Sequence, residues 1–133
     1  CTDPAVARWL ERVIHIVAVV SRPKGYDPLR IKRLNPKWVR RLGRSGSDCY
    51  DAILARNARG LGASLTENMR CWGELLPLSL HDPGSMDRKM PEILEYYQTR
   101  YRGAMWSGCG GGYIYVVSEK PVPGGFHVTV RTA

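Results

Sequence analysis

Apolar residues in this chain recur with two different periods. Val13-Ile14-His15-Ile16-Val17-Ala18-Val19-Val20 is a continuous β-branched run. Successive strand residues face opposite sides, so apolar residues at every position predict a strand covered on both faces. Thr2 to Arg12 before it reads as a short polar or helical lead-in. Asn35-Pro36 starts a helix, with asparagine as cap and proline at the first helical position, and Trp38, Val39 and Leu42 give it an apolar side. Gly43 is placed to end it, and Ser45-Gly46-Ser47-Asp48 to reset the chain before a separate helix bearing Tyr50, Ile53, Leu54 and Asn57, punctuated at Arg59-Gly60. Leu61, Leu65, Met69, Trp72 and Leu76 then fall at spacings of four, four, three and four, one helical stripe that Pro77 ends. A last helix begins at Met90-Pro91-Glu92, buries Ile93, Leu94, Tyr97 and Tyr101, and stops near Arg102-Gly103. Two strands follow. Tyr113 to Ser118 is the first. Phe126 to Arg131 is the second, with Phe126, Val128 and Val130 inward and His127, Thr129 and Arg131 outward, and the linker from Lys120 to Gly125 is short enough for the two to pair as a hairpin.

These elements predict an α+β fold: an antiparallel sheet of three or four strands with helices mainly on one face, in a single domain spanning residues 1–133. The fourth strand is expected either from Arg30 to Leu34 or from another part of the protein. The composition, 44% hydrophobic and 24% charged, is that of an ordinary soluble globular protein. No apolar run approaches the ~20 residues that span a bilayer, so no membrane role is expected. Cys1, Cys49, Cys71 and Cys109 are scattered without metal-ligand spacing, which reads as reduced thiols in a cytoplasmic protein. A chain that begins at Cys1 is expected to be a piece of something longer.

A formal charge of +8 favours anionic partners. Seven cations lie within the fifteen residues from Arg30 to Arg44: Arg30, Lys32, Arg33, Lys37, Arg40, Arg41 and Arg44. Trp38 alone supplies aromatic interleaving there, so a solvated face is preferred over a nucleic-acid platform. The loop Ser21 to Pro28 breaks the chain after the first strand and offers Arg22, Lys24 and Tyr26 to an anionic substrate; the alternative is a solvated connector. His15, alone within a strand, is read as a hydrogen-bonded structural residue. His81 and Asp82, adjacent in sequence, are not taken as a catalytic pair.

The densest signal is Gly103-Ala104-Met105-Trp106-Ser107-Gly108-Cys109-Gly110-Gly111-Gly112, in which four of the last five residues are glycine. Such a backbone reaches positive φ and close approach without Cβ clashes. A phosphate-cradling glycine loop normally follows a strand and opens a helix, whereas here a helix is expected before and a strand after. Neither the Walker A pattern nor G-x-G-x-x-G is present. The loop is therefore expected to be one wall of a site built elsewhere.

From Asp51-Ala52-Ile53-Leu54-Ala55-Arg56-Asn57 and Leu61-Gly62-Ala63-Ser64-Leu65-Thr66-Glu67-Asn68-Met69 through the Pro91 helix to the glycine run, the ordering resembles the C-terminal domain of the GHMP kinases, whose sheet is ferredoxin-like. The resemblance covers residues 48–131. It is most specific at the glycine run, similar to the family's third motif, a small or hydroxyl residue followed by Gly-Ala-Gly-Gly-Gly, with Cys109 in place of alanine. It implies an enzyme that transfers the γ-phosphoryl group of ATP, with Mg2+, to a hydroxyl or phosphate of a small metabolite, here a sugar or sugar phosphate. Ser107, Gly108, Gly110, Gly111 and Gly112 would line the ATP site, while the phosphate loop and catalytic groups belong to an N-terminal domain absent from this chain. The chain alone is then expected to be inactive and, with a face left bare, to self-associate. Gly60-Leu61-Gly62-Ala63-Ser64 echoes that phosphate loop without its leading proline and is taken as coincidence. The alternative readings are a basic nucleic-acid-binding module and a structural or dimerising domain.

Overall fold

In the computed structural model, which describes residues 3–19, 25–79, 90–108 and 112–131, the Asp3 carboxylate accepts the Ala5 N–H at 2.7 Å and Pro4 takes the first helical position. One orphan donor is thereby satisfied and another removed, and α1 (Pro4–Val13) begins. It runs directly into β1 (Ile14–Ala18). Next come α2 (Pro36–Leu54), α3 (Ala58–Leu75), a 3-10 turn (Pro77–Ser79), α4 (Met90–Arg100), β2 (Gly103–Trp106), β3 (Tyr113–Val117) and β4 (Gly125–His127). The fold is α+β, with one four-stranded antiparallel sheet in the order β2-β3-β1-β4.

Register assigns the faces. Val17, Ile114 and Trp106 form one cross-strand row, and His15, Val116 and Ala104 the next. Met69 of α3 and Met90 and Leu94 of α4 pack against these rows in the main core. On the other face the row Ile14, Val117 and Gly103 meets Trp9, Val13, Ala52, Ala58 and Leu61. Farther along that face Ile16 and Tyr115 are half-buried, while Tyr113 and Phe126 are exposed and meet edge to face at 6.4 Å.

β2 is an edge strand, yet its outward backbone groups are partnered by helices. Ala104 N–H donates to Thr66 Oγ1 at 3.4 Å, Trp106 N–H to Met69 Sδ at 3.5 Å, and Gln98 Nε2 donates to Ala104 O at 2.9 Å. An edge closed in this way offers no template to another strand. The approach is possible because Gly62 in α3 and Gly103 in β2 lie against each other: a Cβ on Gly103 would overlap the Gly62 carbonyl, and one on Gly62 would overlap the Arg102 carbonyl.

The structure corrects several expectations. Gly103–Trp106, the first part of the glycine stretch, is the fourth strand and follows α4, and residues 30–34 are not strand. β3 and β4 do not form a hairpin; each pairs antiparallel with β1, which lies between them. The two are thus parallel to each other, a relation that a hairpin turn cannot produce. Gly43 and Ser45-Gly46-Ser47 do not break the chain but lie inside α2. Ser45, 1% exposed, donates its hydroxyl to Leu42 O at 2.8 Å and accepts Asn68 Nδ2 at 3.3 Å, so contact with α3 overrides weak local propensity. The break falls instead at Arg56, φ 50°, where Arg56 N–H meets Ile53 O and Asn57 N–H meets Ala52 O. This is a Schellman cap with arginine where glycine is usual. Trp72 and Phe126, expected inside, are exposed.

His15 is 3% exposed, with Nε2 3.2 Å from Ser118 O and the His127 ring 4.4 Å away. Burial lowers its pKa below the ordinary 6.5, with the His127 charge adding to this and the Ser118 bond opposing it.

Gly103→Ala should cost at least ~2 kcal/mol in urea denaturation, because backbone must move. Gly43→Ala, where a Cβ meets nothing within 4 Å, should instead stabilise α2 by about 0.5–1 kcal/mol. A neutral Gly103→Ala would sink the close approach. For His15, the unfolded chain binds more protons between the lowered pKa and 6.5, so its contribution is complete above 6.5 and declines as pH falls through that window. His15→Gln should therefore show a smaller drop in urea midpoint than the parent between about pH 7.5 and about pH 5.

Candidate functional site

Since β2 and β3 are antiparallel neighbours, the chain between them is a link, the glycine turn, of which Ser107, Gly108 and Gly112 are described. Ser107 N–H donates to Tyr113 O at 2.9 Å and Gly112 O accepts Val19 N–H at 2.8 Å, tying the turn to the strand ends on both sides. Gly108 and Gly112 have φ of 69° and 93°, a left-handed backbone that costs other residues ~1–2 kcal/mol. Fully buried Trp106 anchors the strand that delivers the turn. Of the residues proposed for this wall, Ser107, Gly108 and Gly112 are thus brought together. Gly110 and Gly111, together with Cys109, lie outside the described residues, as do Arg22, Lys24, His81 and Asp82. Tyr26 is described: it is half-buried and packs, with Val19, against the main core.

The helices bring a second group to the same end of the molecule. Along α3, Gly62 meets Gly103, Thr66 meets Ala104 and Met69 meets Trp106, so travel toward the C-terminus of α3 is travel toward the glycine turn. α2 runs antiparallel to α3: Asn68 reaches Ser45, Glu67 reaches Arg41, and Arg70 reaches Trp38. Beyond them Arg33 N–H donates to Leu75 O at 2.8 Å. The start of α2 and the segment before it therefore lie toward the end of α3 that points the same way as the turn. Asn35 caps that helix by accepting Lys37 N–H at 2.9 Å, as the sequence predicts.

This end is positively charged. No acidic residue occurs between Asp27 and Asp48. Arg41 pairs with Glu67 at 2.6 Å, and the pair is partly exposed, so its contribution is under ~1 kcal/mol. Trp38 is enclosed by cations, with the Arg41 guanidinium 4.6 Å, the Lys37 ammonium 5.6 Å and the Arg70 guanidinium 5.9 Å from its ring centroid. Leu29, Ile31, Leu34 and Val39 are exposed among the cations, Leu34 at 79%. The region therefore combines positive charge, which attracts anions, with exposed aliphatic side chains.

Other candidate chemistry is quiet. Burial, with the Glu67 carboxylate alongside, pushes the Cys71 thiol up, which keeps it protonated and poorly nucleophilic. Burial also raises the Tyr97 hydroxyl, next to Tyr101 and Tyr96. Among the described residues, no three His, Cys, Asp or Glu side chains come together as a metal site.

Sequence reasoning missed that the glycine turn and the basic stretch share one end, because that depends on the antiparallel α2–α3 pair and its alignment on β2. The one local signal was Gly62, within the segment taken as a chance echo. Comparison with models of protein families, with curated proteins and with solved structures gave no match.

Gly108→Ala and Gly112→Ala should each lose ~1 kcal/mol. Their effect should concentrate at the turn, so hydrogen exchange should speed up at the Ser107 and Val19 amides while amides in α3 change only with global stability. Uniform acceleration across the sheet would contradict the turn's local role.

Proposed function

We propose that this chain is the C-terminal domain of an ATP-dependent small-molecule kinase of the GHMP type, acting on a sugar or sugar phosphate together with an N-terminal domain. The observation that supports the reading is the glycine turn with its left-handed Gly108 and Gly112, with the basic start of α2 toward the same end of α3 and exposed aliphatic residues beside it. In phosphoryl transfer the acceptor oxygen forms a bond to the γ-phosphorus as the bond to the β-phosphate oxygen breaks. ADP leaves, and the acceptor hydroxyl gives up its proton. Most of the catalysis lies in positioning and charge neutralisation.

Each part has a task in that scheme. The turn, with left-handed glycines at 108 and 112, brings backbone close to the nucleotide without side-chain obstruction, as one wall of the ATP site. Cations at Lys37, Arg40 and Arg44 draw in anionic substrate and nucleotide. With no carboxylate cluster among the described residues, Mg2+ would be held by the nucleotide phosphates and the other domain, which also supplies the base. The exposed Leu29, Ile31, Leu34 and Val39 suit the interface with that domain. A basic nucleic-acid module remains the competing reading, favoured by the seven cations alone.

The test is ADP release by the protein made from the reading frame extended upstream of Cys1, assayed with ATP, Mg2+ and a panel of sugars and sugar phosphates. Turnover should require one of these acceptors and be lost in the 133-residue chain. Lys37→Glu combined with Arg40→Glu should raise KM about tenfold, for a loss of one or two charge contacts. Acceptor-dependent turnover by the 133-residue chain would refute the two-domain reading. Salt-steep binding of mixed-sequence RNA, with no ADP release from the extended protein, would favour the nucleic-acid module.

A further inference from the structure

At the end of the sheet opposite the glycine turn, the α2–α3 junction faces the chain leaving β3. Two cavities of about 340 and 320 Å³ lie there and share Arg102 and Glu119 in their walls. The first adds Arg56 and Arg59, the second Arg100 and Lys120. Among the described residues, five cations thus line the two neighbouring cavities, three to each with Arg102 in both, and Glu119 is the carboxylate of both linings. That carboxylate is engaged, because one Glu119 oxygen accepts Arg102 Nη2 at 2.7 Å and Nε at 3.0 Å.

Side-chain contacts hold Arg100 and Arg102, and the backbone fixes where Arg56 departs from α2. Arg56 leaves α2 at φ 50°, the non-glycine residue of a Schellman cap. Arg100 lies with its guanidinium 4.0 Å from the Tyr96 ring centroid. Arg102 is anchored by Glu119 and by its own N–H, which donates to Val117 O at 3.0 Å. Like charges gathered within a Debye length, ~8–10 Å, raise one another's energy until an anion joins them. Guanidinium forks match phosphate oxygens two at a time, and cavities of this volume suit a small molecule. Nucleic acid fits less well: a strand needs cations spread along a track with bases stacked on open rings, and the described lining offers Tyr101 as its one aromatic.

We propose that these cavities form a binding site for a small phosphorylated molecule carrying at least two negative charges, separate from the glycine turn. The inference stands on the cavities and their cations and is independent of the kinase reading.

The test is an amide NMR titration of the 133-residue chain with inorganic pyrophosphate at constant ionic strength. Saturable shifts are expected at residues 56–60, 100–102 and 118–120. Arg59→Ala should raise the dissociation constant about tenfold. Arg56→Gly should do the same while leaving the urea midpoint equal or higher, since glycine relieves the left-handed φ, so its lost binding is not lost folding. Four results would overturn the proposal: no saturable shifts at millimolar pyrophosphate, shifts confined to 30–44 and 107–112, an unchanged dissociation constant in Arg56→Gly, or a mixed-sequence RNA that moves the same amides at lower concentration than pyrophosphate.

Discussion

Two glycines without side chains fix how this molecule is assembled. Where Gly62 lies against Gly103, α3 comes close enough to β2 for Thr66 and Met69 to take the N–H groups of Ala104 and Trp106. A methyl group at either glycine would hold the helix away, and those N–H groups would have no protein partner. Unpaired buried donors cost ~1–3 kcal/mol each. The contact therefore sets the axial position of α3 as well as the closure of the edge. α4 completes the seal from the other side through Gln98 and Ala104 O.

Everything at the candidate site inherits that alignment. α2 is positioned on α3 by Ser45–Asn68 and Arg41–Glu67, so a shift of α3 along β2 would carry the basic start of α2 toward or away from the glycine turn. The turn itself hangs from β2 and β3 and is tied to the end of β1 by Val19 and Gly112. Charge and turn thus share one frame. That both lie toward one end is a product of helix–strand registration and not of neighbourhood in sequence.

Much of the fold was legible in the chain. β-branched runs marked β1 and β3, Asn35-Pro36 marked the start of α2, and Met90-Pro91 that of α4, because each signal is local. The misreadings share a cause. Gly43, Ser45 and Gly46 look like a break until α3 is there to contact Ser45, and Gly103-Ala104-Met105-Trp106 looks like loop until β3 and α3 claim its backbone. Phe126 alternates as a buried residue would, yet its side of β4 has no covering helix among the described residues and it is exposed. At the candidate site, the glycine turn and Tyr26 were visible as unusual residues. The way the basic stretch joins them was not, since that follows from packing between α2 and α3.

The place of β1 in the sheet also governs how the chain can be made. Among the described strands it comes first, yet both of its neighbours come much later in the chain: His15 and the Ser118 carbonyl it meets are 103 residues apart. Loop closure over that span comes late and slows folding. During synthesis Ile14, Ile16 and Val17 therefore emerge from the ribosome with both strand edges unpaired, and they stay so until β3 and β4 have been made. For that interval the later centre of the sheet is the part of the nascent chain most in need of a chaperone.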